Sequence, residues 1–352
     1  MKQTPKVLII GQGLAGSVLT HLLLQKNVDV TIIDKGHVGS SSSIAAGVVN
    51  PVTGRRIVKS WMIDELLPIA KQYYTQVGAE LNLNLWHELP SMRLFTDVGM
   101  SNNWGLRMQN EGYQQYLAFM NPVEIGKFPV KSDFGVGIIH HSARVDISTM
   151  IASFRKKWLK DKRLIEGIFQ HSALIHSNEK LTYQDISYDK IIFCEGWEAK
   201  NNPLFKDFPF QVTKGEVLIL RIPNMPQKNI IKKKVAIVPL GDSLFWAGAT
   251  NNWNFSNNEP SQEGAIWLQT EIETIIEGPY EVIEHLAAIR PTVRHRRPLI
   301  GFPTSIEANV TKPQIGIFNG FGTKGTSLVP YWADQFVNHL LNAQELSNDV
   351  TV

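Results

Sequence analysis

The chain has 352 residues, with 35 Lys+Arg against 32 Asp+Glu and 43% apolar residues. That is enough chain for roughly two domains of about 150 residues with buried cores, and too apolar for an extended disordered polymer. A single cysteine, Cys194, excludes an intrachain disulfide and any cysteine-built zinc or iron–sulfur centre. No apolar run approaches the ~18 residues of a membrane helix, and the run before Gly11 is too short for a secretory signal. A cytoplasmic protein without membrane contact is expected, and a net charge of only +3 argues against nucleic acid as a partner.

Residues 6–10 (KVLII) form a short β-branched run of the kind buried in a parallel sheet. They lead into Gly11-Gln12-Gly13-Leu14-Ala15-Gly16, and Leu14, Val18, Leu22 and Leu23 then recur at helical spacing to about Gln25. A second run, residues 28–33 (VDVTII), ends on Asp34 and Lys35. Strand, GxGxxG turn, helix, strand and acid together make a dinucleotide-binding unit. Gly11 permits the tight turn, Gly13 lets backbone approach a pyrophosphate, and Gly16 lets the helix lie close to the strand. The helix start presents unpaired N–H groups and a positive dipole end to phosphate. Asp34 is placed to accept from the ribose hydroxyls.

A second glycine turn, Gly320-Phe321-Gly322-Thr323-Lys324-Gly325, follows the strand-like residues 314–318 (QIGIF) and opens a helix. In that helix Val329, Trp332, Phe336, Val337, Leu340 and Leu341 share one apolar face, with Pro330 expected in the first turn. Only 27 residues follow Gly325, with no strand ending in an acid, so this is not a second nucleotide unit. A helix start behind a glycine turn suits the negative charge on the pyrimidine edge of a reduced flavin, pointing to FAD rather than NAD. The small-residue stretch at residues 39–47, including Ser42, Ser43, Ala46 and Gly47, reads as a segment packed against a flat ligand.

At this point the sequence resembles the FAD-dependent D-amino acid oxidase family, which includes glycine oxidase and sarcosine oxidase. The resemblance is carried by GQGLAG at residues 11–16, Asp34, SSSIAAGVVNP at 41–51, KGEVLIL at 214–220, FWAGAT at 245–250, AIRPTVRHRRPLIG at 288–301 and GFGTKG at 320–325. It implies an α/β fold in two interleaved domains. An FAD-binding, Rossmann-like domain takes residues 1–80, 141–205 and 285–346, and an antiparallel-sheet substrate domain takes 81–140 and 206–284. Short strands at residues 190–194, 217–220, 236–239 and 244–249 fit this plan. The resemblance also assigns Phe169, Gly196, Trp197, Thr323, Lys324, Gly325 and Thr326 to FAD, beside the glycines already named. Cys194 is not where sarcosine oxidases attach flavin, so the FAD is expected to be noncovalent.

The chemistry so implied is oxidation of the C–N bond of a small amino acid or N-alkyl amino acid, by hydride transfer from Cα–H to flavin N5. Arg290 matches the family arginine that pairs with the substrate carboxylate, and Lys324 matches a carboxylate-contacting lysine of sarcosine oxidases. Arg296 and Arg297 read as structural or solvated. Trp246 stands near the position of an oxygen-activating lysine, which keeps both oxygen and another electron acceptor open. Two alternatives remain. One is an FAD-dependent tRNA-modifying enzyme that removes a carboxymethyl group from a uridine, which needs a basic face. The other is a non-catalytic FAD-binding protein. Lys232-Lys233-Lys234 and Arg55-Arg56 read as solvated charge, and adjacent His140-His141 do not share a metal on a strand, so no metal site is expected.

Overall fold

The computed structural model describes residues 5–36, 39–176, 180–303, 306 and 314–352. The chain divides into two units, one of residues 1–45, 147–213 and 289–352, the other of residues 46–146 and 214–288. Residues 46–80, expected with the first domain, group with the second unit. There the helix Ile63–Leu81 packs on the strand Trp86–Glu88, and Val48–Val49 pairs with Ala143–Val145.

In the first unit, six strands lie in the order Leu164–Glu166, Asp29–Asp34, Lys6–Ile10, Lys190–Phe193, Ile315–Asn319, Leu299–Gly301. The first five are parallel and the last is antiparallel to its neighbour. Lys6–Ile10 sits in the middle of the parallel ladder, which is why its apolar run does not alternate: both faces are covered. The helix Leu14–Gln25 packs on Gly325–Asn342 and on Ile147–Lys160. Leu8, Ile10, Ile33, Ile191, Phe193 and Ile317 join Phe169, Tyr183 and Tyr188 in one buried cluster.

The C-terminal helix begins at Gly325, so Pro330 lies inside it rather than in its first turn. Pro330 supplies no N–H to the carbonyl four residues back.

The second unit is built on eight strands, ordered Glu281–Arg290, Thr213–Arg221, Leu244–Gly248, Ala236–Gly241, Ile230–Lys232, Ser91–Leu94, Val136–Ile139, Leu117–Phe119. Neighbours from Thr213–Arg221 to Ile230–Lys232 run antiparallel, Ile230–Lys232 and Ser91–Leu94 run parallel, and the last two pairings are again antiparallel. Alternation sorts the side chains. Met92, Leu94, Ile231, Ile237, Phe245 and Ala247 pack with Leu268 and Ile272 of the helix Gln262–Glu273. Ile230, Val238, Ala236 and Trp246 face the other way, into a small cluster with Ala46 and Leu89. One unit on a parallel sheet and one on a largely antiparallel sheet make the α/β architecture that the motifs predict. Among the described residues no helix is long and apolar enough to cross a membrane.

Candidate flavin site and substrate anchor

The first glycine turn is shaped by two close approaches. Gly11 has φ +97° and gives its N–H to the Ile33 carbonyl at 2.8 Å, while a Cβ there would stand 2.6 Å from the Cys194 carbonyl oxygen. A Cβ on Gly16 would stand 1.9 Å from the Gly11 carbonyl oxygen, so only glycine lets the helix sit this close to the strand. The helix start is then partly used by the protein. Leu14 N donates to Ser42 Oγ at 3.0 Å and Ser17 N to the Gly13 carbonyl at 2.9 Å. Among the described residues the N–H groups of Gly13, Ala15 and Gly16 have no protein acceptor. Three orphan donors at the positive end of a 12-residue helix fit a pyrophosphate.

The serine run is more ordered than a loop. Ser40 caps the short helix Ser41–Ile44 by accepting from Ser43 N at 3.2 Å, which holds Ser42 against the start of the long helix. Ala46 and Gly47 fall in the second unit, where Gly47 (φ +67°) accepts from Val145 N.

Asp34 is busier than its sequence context implies. Its Oδ2 accepts from Gln12 N at 2.7 Å, and its Oδ1 accepts from Gly36 N at 2.8 Å and from Arg155 Nη1 at 2.7 Å. A carboxylate offers about four acceptor directions, so about one remains for a ribose hydroxyl. Arg155 also pairs with Glu166 at 2.8 Å. Nothing in the sequence singles out Arg155, which stands in a run of cations on the helix Ile147–Lys160, 121 residues from Asp34. Lys35 is turned outward into an ion pair with Glu198. The Phe169 ring is buried and stacked on Tyr183 with centroids 4.6 Å apart, so only its backbone is left for a ligand. Gly196 (φ +61°) and Trp197 lie in a short turn after the strand Lys190–Phe193. That turn is tied to the second glycine motif by Asn319 Nδ2 donating to the Gly196 carbonyl at 2.9 Å. Beside it, burial pushes the Glu195 carboxyl up to about 7, against the hydrogen bond from Asn202 Nδ2 at 2.7 Å.

At the second glycine turn, Gly320 (φ +80°) and Gly322 (φ +55°) bend the chain into a 3-10 turn running into the C-terminal helix, where Gly325 and Thr326 form the first positions. Gly322 N donates to the Pro291 carbonyl at 3.2 Å, and Thr292 N to the Arg290 carbonyl at 2.9 Å. The segment after Arg290 is thereby stitched to the turn that carries Thr323 and Lys324. Both cations are partly buried. Desolvation lowers the pKa of Arg290, and lowers that of Lys324 with help from the neighbouring charges of Arg296 and Arg297. Arg296 and Arg297, read from sequence as solvated or structural, thus contribute to the potential at Lys324.

In the second unit, the KGEVLIL motif holds a buried polar group. Glu216 (2% exposed) accepts from Ser261 N and Ser261 Oγ at 2.8 Å and lies 3.3 Å from Lys214 and 3.0 Å from His285. This fastens the start of the helix Gln262–Glu273 to the sheet. Trp246 is partly buried against the small cluster of Val238 and Ile230.

A profile of the DAO family, described as FAD dependent oxidoreductase, matches residues 6–338. Among solved structures, iminodiacetate oxidase from Chelativorans sp. BNC1 superposes with a TM-score of 0.77 at 20% identity, covering 98% of this chain and 99% of that one. Glycine oxidase from Bacillus cereus ATCC 14579 superposes with a TM-score of 0.79 at 18% identity, covering 97% and 96%. L-proline dehydrogenase from P. horikoshii does so at 0.78 and 13% identity, covering 98% and 95%. The fold is therefore theirs, FAD is the cofactor, and the chain belongs to the DAO family of FAD-dependent oxidoreductases.

Proposed function

We propose that this protein oxidises the C–N bond of a small amino acid or N-alkyl amino acid, the first unit holding FAD noncovalently and the second serving as the substrate domain. The observation that carries the proposal is the backbone link between the segment of Arg290 and the turn of Lys324. Both residues are partly buried cations on segments stitched together by the Gly322–Pro291 hydrogen bond, within the unit that carries the orphan helix-start donors. A guanidinium fork suits a carboxylate, and the ammonium of Lys324 on the linked turn offers a second cation to it. Such a ligand would be fixed with its Cα in a defined position, and fixing position is the protein's main share of flavin chemistry.

In this reading FAD, when bound, supplies the acceptor for the Cα hydride. Gly13, Ala15 and Gly16 would hold its pyrophosphate, and Asp34 would accept from one ribose hydroxyl. Gly320, Gly322, Thr323, Gly325 and Thr326 would hold its flavin end. Arg290 and Lys324 hold the substrate carboxylate, the amine enters neutral, and the imine product hydrolyses in water. Turnover would need oxygen or another electron acceptor. The proteins named above as iminodiacetate oxidase, glycine oxidase and L-proline dehydrogenase are described by substrates carrying both an amine and a carboxylate, which supports the same substrate class here.

The test is anaerobic mixing of the FAD-loaded protein with a panel of amino acids and N-methyl amino acids, following the flavin absorbance near ~450 nm. Bleaching by carboxylated amines, lost in Arg290→Met while FAD stays bound, is the expected result. A flavin that no amine bleaches removes the reading, and readmitting air separates oxidase from dehydrogenase.

A further inference from the structure

The second unit contains a cleft of about 1030 Å³ whose charge the amine chemistry does not use. Arg93, Lys232, Lys233 and Lys234 line it together with Arg55, and Asp97 is the one carboxylate in its lining. Asp97 accepts from Met100 N at 2.8 Å and from Thr96 Oγ1 at 2.7 Å, and its charge acts on Arg55 rather than on Arg93 or Lys232. Of the lysines, Lys234 is neutralised by an ion pair with Glu271.

Arg93 and Lys232 are the unusual pair. They stand directly opposite each other in the parallel pairing of Ser91–Leu94 with Ile230–Lys232, so both point to the sheet face opposite the helix Gln262–Glu273. Like charges in register on neighbouring strands oppose folding, yet neither has a carboxylate partner among the described residues. Each is steered by a backbone carbonyl instead. Arg93 Nη1 donates to the Lys233 carbonyl at 2.7 Å and Lys232 Nζ to the Lys234 carbonyl at 3.3 Å, while Lys233 Nζ donates to the Thr274 carbonyl at 3.0 Å. One bond from a guanidinium with five N–H groups and one from an ammonium with three leaves most of their donors for a guest. Arg55, at the exposed turn of the hairpin Val52–Thr53/Val58–Lys59, closes the rim. Lys232 and Lys233 are partly buried rather than the solvated charge that the lysine run implied, and burial followed by the charge of Arg93 pushes Lys232 down to about 8.

We propose that this cleft binds a phosphate ester, with the Arg93 fork and Lys232 on its oxygens and Arg55 at the entrance. A phosphate group supplies the counter-charge the sheet lacks and accepts several hydrogen bonds at once. The group has two possible sources, a free phosphorylated molecule or the backbone of a single-stranded RNA. A single-stranded backbone would need a site of several nucleotides.

The test uses the FAD-loaded protein and reads binding, so its failure is separate from failure of the amine reading. Sodium tripolyphosphate is titrated calorimetrically, and a fluorescein-labelled RNA of roughly twelve nucleotides is followed by anisotropy at low salt. The variants are Lys232→Gln inside the cleft and Arg55→Glu on the exposed turn, the second leaving the core untouched. The expected result is tripolyphosphate binding weakened about tenfold or more by each variant, with the flavin spectrum unchanged. RNA binding that tripolyphosphate displaces, with a log–log salt slope smaller by about 0.7 for each contact removed, assigns the phosphate to a nucleic-acid backbone. Tripolyphosphate binding without RNA binding assigns it to a free phosphorylated molecule. No binding of either probe, or binding that both variants leave intact, overturns the proposal.

Discussion

Replacing Gly16 with alanine tests the reading of the flavin site most directly. The new Cβ would lie 1.9 Å from the Gly11 carbonyl oxygen, 3.0 Å from its carbon and 3.3 Å from Cys194 Cβ. Both Gly11 atoms are backbone, so no rotamer relieves the clash. Restoring ordinary contact moves the helix Leu14–Gln25 outward by about 1 Å, an overpacking that costs roughly 1–3 kcal/mol of stability. The same movement carries the N–H groups of Ala15 and Gly16 away from the pyrophosphate. A charge-assisted hydrogen bond is worth about 1.5–3 kcal/mol, so losing one weakens FAD binding by roughly ten- to a hundred-fold. The assay is titration of the apoprotein with FAD by quenching of flavin fluorescence, beside thermal melting. Gly167→Ala, where a Cβ meets nothing within 4 Å, is the control and is expected to change neither. If Gly16→Ala binds FAD within about twofold of the parent, the helix start does not hold the pyrophosphate and the assignment falls.

Three further outcomes are expected. Arg290→Lys keeps the charge but loses the bidentate fork, and should lower kcat/KM for carboxylated amines by about tenfold to a hundredfold. An equal loss on an amine without a carboxylate would remove Arg290 from substrate binding. Glu195 has a folded-state pKa raised by burial to about 7, above the unfolded value, so its ionised form is disfavoured in the fold. Stability should therefore fall as pH rises from about 4 to 7, by of order 3 kcal/mol, and Glu195→Gln should flatten that slope in Tm against pH. An unchanged slope would place the titration elsewhere. Gly264→Ala puts a Cβ 2.2 Å from Glu216 Oε2, the buried carboxylate that Lys214, Ser261 and His285 surround. A loss of roughly 2–4 kcal/mol by denaturant unfolding is expected, with FAD affinity unchanged, and a neutral effect would mean the Glu216 anchor yields freely.

The dinucleotide turn was legible because its causes are local. The strand Lys6–Ile10, the helix Leu14–Gln25 and the strand Asp29–Asp34 follow from a buried run, a 3.6-residue period and a second run within one stretch of chain. The positive φ of Gly11 and the contact at Gly16 are what the spacing of the glycines demands. The start of the C-terminal helix was less legible. The turn Gly322–Lys324 runs straight into helix at Gly325, which leaves Pro330 in the interior, where apolar periodicity alone would not place it.

What the sequence could not carry is which distant side chains meet. Asp34 looks like a free ribose acceptor until Arg155 arrives from another helix and fills one of its oxygens. The cations at Arg93 and Lys232 are 139 residues apart and look like ordinary surface charge in their own segments. Only the register of one parallel strand pair sets them side by side on a single face. By itself the sequence determined the local geometry of the flavin turns, because steric limits on glycine and hydrophobic period act within a few residues. The tertiary structure decided the electrostatics, because charge acts through space and its partners are chosen by sheet register and helix packing.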